Sequence, residues 1–112
     1  MKNLKNKVQL IGNVGENPKS HSFDSGKKIS RFTLATNDYY RKDGERVQQT
    51  QWHTLVAWEK QAEFVEKYIS KGNEIAVEGK LTYRSFENEK GEKHYITEIL
   101  LSEILLLNSK EN

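Results

Sequence analysis

Between Thr50 and Ile69 the hydropathy changes period once, and that change restricts the fold more than any other feature. Thr50-Gln51-Trp52-His53-Thr54-Leu55-Val56-Ala57-Trp58 is rich in β-branched and aromatic residues and holds no Gly or Pro, which predicts a strand. From Glu59 the apolar residues Ala62, Val65 and Ile69 recur at the spacing of one helix face, with Phe64 and Tyr68 beside them. A strand therefore runs straight into a helix over Glu59–Ile69. Ser70-Lys71-Gly72-Asn73 closes it, with Gly72 expected as a left-handed cap. Side chains alternate along a strand. Trp52, Thr54, Val56 and Trp58 thus share one face, and His53, Leu55 and Ala57 the other. Both faces are apolar, so alternation leaves two readings open: tryptophans in a core, or tryptophans as a flat platform in solvent.

The other apolar runs are all strand-like. Val8-Gln9-Leu10-Ile11-Gly12-Asn13-Val14 predicts a short strand, with Gly12 marking a bulge or bend. Glu16-Asn17-Pro18 reads as a turn, and Lys19–Phe23 as a possible short strand. Asp24-Ser25-Gly26-Lys27 predicts a hairpin turn into a second long strand, Ile29–Thr36, with Phe32, Leu34 and Thr36 toward the core. Asn37–Thr50 is polar and reads as a connection with its turn at Lys42-Asp43-Gly44-Glu45. After the helix, Glu74–Phe86 alternates again. Ile75, Val77, Gly79, Leu81 and Tyr83 form the expected core face, and Glu78, Lys80, Thr82, Arg84 and Phe86 the other. Asn88–Glu92 predicts a hairpin tip. His94–Leu107 fits either period and is read as a strand because a hairpin turn precedes it. Five strands with the helix between the third and fourth is the element order of the OB-fold, a partly open five-stranded Greek-key barrel.

Composition narrows function mostly by exclusion. The 112 residues suit one small domain. Eighteen Lys and Arg against sixteen Asp and Glu leave a net charge of +2, so any basic patch must come from distribution rather than bulk charge. With no cysteine, disulfides, thiol catalysis and thiolate metal sites are excluded. His21, His53 and His94 are not in ligand-spaced pairs, so neither metal nor cofactor is expected. No signal-peptide pattern or membrane-length apolar run is visible, and a cytoplasmic protein is expected. No phosphate loop or catalytic triad signature stands out, and Glu98 and Glu103 imply no pocket, so an enzyme is not expected.

Binding is the stronger signal. Tyr40, Trp52, Trp58 and Phe86 are flat rings interleaved with cations. Single-stranded nucleic acid uses such a surface: bases stack on rings at about 1–3 kcal/mol each, while cations follow the phosphates.

The order and spacing of several segments resemble the bacterial single-stranded DNA-binding proteins. These segments are Asn6–Gly15 with Pro18, Phe32–Asn37, Thr50–Val56, Tyr68–Asn73, Val77–Leu81 and Tyr95–Glu98. The resemblance covers almost the whole chain. It implies an OB-fold domain over residues 1–107, assembled as a homotetramer and wrapping single-stranded DNA without sequence specificity in replication, recombination and repair. The family's stacking positions fall on Tyr40, Trp52, Trp58 and Phe86, with Tyr and Phe at two positions where Trp is frequent and Trp58 where Phe is frequent. Thr54 stands where Arg is frequent, and His53 falls at a subunit interface. Lys7, Arg31, Arg41, Lys60, Lys80 and Arg84 are the cations expected along the phosphate path. Residues 108–112 form a short tail in place of the family's acidic one, which implies coating of DNA without tail-mediated recruitment of partners. The alternative is an OB-fold interaction module of a primosome-type assembly, expected as a dimer.

Overall fold

The computed structural model describes residues 5–108. Its elements are β1 (Val8–Val14), β2 (Lys19–Ser22), β3 (Lys28–Lys42), β4 (Glu45–Trp58), α1 (Glu59–Tyr68), β5 (Glu74–Glu87) and β6 (Lys93–Asn108). The sheet runs β1-β5-β6-β4-β3-β2, and β1 also pairs with β3 through Asn13↔Ala35 and Val14↔Leu34. That second pairing closes β1, β5, β6, β4 and β3 into a ring, the expected five-stranded barrel. The helix, however, follows the fourth strand in sequence and not the third. The added strand is β2, four exposed residues laid along the edge of β3. Lys-Ser-His-Ser has no buried face, so hydropathy gave it little weight, and only backbone pairing makes it a strand.

The core lies between the inner face of the barrel and α1. Leu34, Leu55, Val65 and Ile75 are fully buried at its centre, joined by Phe32, Ala57, Ala62, Ile69, Val77, Ile99 and Leu101. The helix presents Ala62 and Val65 inward, as its spacing predicts. It ends because Ile69 turns to extended backbone, not at a left-handed cap. Gly72, with φ of 91°, instead serves the Ser70–Asn73 turn, in which the Asn73 N–H donates to the Ser70 carbonyl at 3.1 Å.

Gly12 does not break β1, which pairs with β5 without interruption from Val8 to Asn13. Its role is close approach: a Cβ there would stand 2.2 Å from the Ala35 carbonyl oxygen. Gly79 has the same function against Leu100, whose carbonyl oxygen would be 2.3 Å away, beside a register shift between Glu78 and Gly79. Beyond Gly79, β5 and β6 leave the barrel as a two-stranded arm. Leu81 and Tyr83, expected in the core, are therefore exposed, Tyr83 at 72%. Asn37–Thr50 is likewise not a loop. β3 and β4 pair in continuous register out to Lys42↔Glu45, and Asp43 and Gly44 (φ 52° and 82°) turn the ribbon.

Candidate nucleic-acid interface

Register decides the tryptophan question. Leu34↔His53 and Phe32↔Leu55 place the odd-numbered residues of β4 over the core, so Trp52, Thr54, Val56 and Trp58 face outward. Trp52 is 63% exposed and Trp58 36%. The parallel pair Val56↔Leu100 carries this outer face onto β6, and Lys80↔Leu100, Thr82↔Glu98, Arg84↔Ile96 and Phe86↔His94 carry it onto β5. Trp52, Trp58, Arg31, Lys80, Arg84 and Phe86, drawn from three strands, thus lie on one face. Trp52 and Trp58 are six residues apart, about 20 Å along an extended strand, so they are separate platforms.

Each ring has its own support. Trp52 lies over Gly15, where a Cβ would come within 2.4 Å of the indole. Phe23 stacks on Trp58 with centroids 5.9 Å apart and planes at 18°, and His21 meets Phe23 edge-on at 4.5 Å. Phe86 stacks on His94 across the β5–β6 arm at 5.4 Å. Between Trp52 and the hairpin tip, Asn37 Oδ1 accepts from Thr50 Oγ1 at 2.7 Å and Gln48 Nε2 at 3.1 Å, bracing the ribbon.

At the centre of the face lies the buried Glu98. Its Oε2 accepts from Arg31 Nε at 3.3 Å and from Arg84 Nη2 at 3.1 Å. Lys7 Nζ is 3.3 Å from Glu78, and Gln9 Nε2 donates to the same carboxylate at 2.9 Å. The Gln9 hydrogen bond, with Lys7, holds the Glu78 carboxyl below its ordinary range despite the opposing effect of desolvation. Where β3 meets α1, the Glu66 hydrogen bond holds the Lys28 ammonium above its usual range. Among the described residues no group of three His, Asp or Glu side chains could hold a metal ion, and no helix is long and apolar enough to cross a membrane.

A face of rings and guanidiniums on a small barrel suits an extended, flat-based polyanion. Residues 5–107 match the model of the Single-strand binding protein family. The chain belongs to that family. A single-stranded DNA-binding protein of Bacteroides thetaiotaomicron is 42% identical over 108 residues, covering 94% of this chain and 67% of the relative. Single-stranded DNA-binding protein 1 of Chlorobaculum tepidum is 38% identical over 109 residues, covering 96% and 67%. Among solved structures, a Plasmodium falciparum SSB complex with ssDNA superposes with a TM-score of 0.85 at 33% identity, over 93% of this chain and 96% of that one. The single-strand binding fold therefore extends over nearly the whole chain.

The expected site residues of this single-strand binding protein do not all fall together. Arg41 pairs with Arg46 near the ribbon tip, on the Trp52 face. Tyr40 pairs with Val47 and lies on the opposite face of the ribbon. Lys60 is exposed on the first turn of α1 and not on a strand. Two rings were missed by sequence reasoning. Tyr39 shares the Trp52 face, with the Arg46 guanidinium 4.0 Å from its ring centroid, and Phe23 extends the Trp58 stack. Counting alternation outward from Trp52 across the Asp43-Gly44 turn would have found Tyr39. Phe23 carried no signal, because its stacking depends on how β2 folds back. His53 is half-buried, with Nε2 2.9 Å from Thr36 Oγ1. Residues 109–112 of the expected tail lie outside the described residues, and Asn108 ends β6.

Proposed function

We propose that this protein binds and shields single-stranded DNA without reading its sequence, in replication, recombination and repair, by stacking bases on Tyr40, Trp52, Trp58 and Phe86. Tyr39 and Phe23 extend the stacking surface, and Arg31, Arg41, Lys80 and Arg84 follow the phosphates. The observation that carries this reading is the exposed Trp52 ring, 63% in solvent, on the same face as Trp58, Phe86 and two arginines. Exposed aromatic rings gathered on one face, rather than scattered singly, mark a binding surface. Every base has a flat face, so stacking tolerates any sequence. The reading is of a binding protein rather than a catalyst, located in the cytoplasm with the cell's DNA. The relatives' names and the DNA in the Plasmodium complex support it.

Assembly as a homotetramer belongs to the same reading. Ile11 and Leu105 are exposed and aligned through Ile11↔Ala76↔Leu105 across three strands, an apolar row available to another copy. A solution mass of four chains is expected; a dimer that binds DNA poorly would favour a primosome-type interaction module.

The test is intrinsic tryptophan fluorescence during titration with oligo-dT, at several salt concentrations and with duplex DNA as control. Strong quenching by oligo-dT alone is expected. Trp52→Ala should lose about 1–3 kcal/mol of affinity with its fold intact. Absence of quenching, with both indoles shielded from a soluble quencher, would defeat the reading.

A further inference from the structure

Glu98 is the one buried acid among the described residues, and it sits between two arginines, Arg31 and Arg84, in the middle of the face. A carboxylate there opposes a polyanion, so its presence needs a reason. The geometry supplies one. Arg31 is on β3 and Arg84 on β5, with β4 and β6 between them. Arg31 crosses β4 to reach Glu98 on β6, and Arg84 reaches it from the other side. Both end on the same oxygen, Oε2.

The division of donors is the telling detail. A guanidinium carries five N–H donors. Arg31 gives Glu98 only its Nε–H and Arg84 only one Nη2 donor. Each arginine keeps its remaining donors, and their side chains are 42% and 43% exposed where that of Glu98 is 6%. Arginine–carboxylate pairs frequently engage the guanidinium fork in two parallel bonds. Glu98 instead holds each arginine by one donor and leaves the rest outward. Without it the two like charges would repel and their long side chains would sample many rotamers.

We propose that Glu98 is a positioning residue for DNA binding. Its buried carboxylate tethers the guanidiniums of Arg31 and Arg84 so that both present free N–H donors to successive phosphates passing between Trp52 and Phe86. This rests on the single-stranded DNA reading. It assigns a binding role to an acid, the opposite of what charge alone predicts.

The experiment measures oligo-dT affinity against salt for the full chain and for Glu98→Gln, with thermal unfolding to follow the fold. Gln keeps the length and an acceptor oxygen but loses the charge. Weaker binding is expected, with the slope of log K against log salt shallower by about 0.7 for each guanidinium that leaves its phosphate. Tighter binding with a steeper slope would overturn the proposal, because Glu98 would then be a competitor for the arginines. In an Arg31→Met, Arg84→Met background, Glu98→Gln should no longer weaken binding, and should strengthen it by removing an unpaired carboxylate; an equal loss there would mean that Glu98 acts through the fold alone, and would also overturn it. Should Glu98→Gln unfold, Arg31→Lys decides on the surface side. It keeps the charge but loses the planar fork, so weaker binding is expected and unchanged binding is contrary. Oligo-dT binding by the unaltered chain separates the two claims, since its failure removes the DNA reading itself.

Discussion

Trp52 keeps its ring over the outer face because Gly15 leaves room beneath it. A Cβ at Gly15 would press on Cζ3 of the indole at 2.4 Å and on Thr33 Oγ1 at 2.8 Å. Both are side-chain atoms at the surface, so the fold can absorb the intrusion by moving them. Gly15→Ala should therefore leave the thermal midpoint nearly unchanged while it displaces the platform. The expected readout is a shift in tryptophan emission of the free protein and a loss of oligo-dT affinity of up to about 1–3 kcal/mol, as for removal of the ring. A large fall in thermal midpoint with unchanged affinity would mean that Trp52 is packing and not a platform. At this scale the sequence leaves a real tie. The two faces of Thr50–Trp58 are equally apolar, and the partners that break the tie, Phe32 and Leu34, are some twenty residues away in the chain. Only their pairing with Leu55 and His53 shows which side is inside.

The elements were legible where one face is buried and opaque where neither is. Strand β1, the barrel half of β3, the helix and the start of β5 each carry a periodic apolar set, and each is where its pattern puts it. The outer half of the β3–β4 ribbon and the β5–β6 arm project from the barrel, so both of their faces meet water and alternation carries no information. That is why Asn37–Thr50 reads as a loop and why Tyr83 reads as core. The same exposure gives the ribbon its use. Tyr39 and Tyr40 are neighbours in the chain but point to opposite faces, and both are about half exposed. A strand of DNA that contacts both must curl round the ribbon. Tyr39→Ala and Tyr40→Ala should each weaken oligo-dT binding, and their losses should add in the double variant, because they serve different bases. A double variant no weaker than the worse single one would place both rings in a single stack, contrary to the register.

For the whole molecule, a net charge of +2 cannot drive binding to a polyanion, so the work falls to cations whose charge is not fully cancelled by a neighbouring acid. Ion pairing sorts them. Lys7 faces Glu78, whose carboxyl is held ionised by Gln9 and Lys7, and Arg31 and Arg84 share the single charge of Glu98. Arg41 and Lys80 take part in none of the ion pairs among the described residues, and Arg41 stands beside Arg46 at the ribbon tip. Composition could not reveal this, because the pairs join residues as far apart in the chain as Lys7 and Glu78. It leads to a ranking. Arg41→Met should make the salt dependence of oligo-dT binding shallower by about 0.7 in log–log slope, the value of one phosphate contact on a single strand. Lys7→Met should change it by less than half as much, because Glu78 is already the partner of that ammonium and removing the lysine also unmasks a carboxylate. Weaker binding by Lys7→Met at every salt concentration, with the slope nearly unchanged, would fit that unmasked charge acting at short range. An equal fall in slope for the two variants would instead mean that Lys7 leaves Glu78 for a phosphate when DNA arrives, and that the pairing of the free protein does not decide the path.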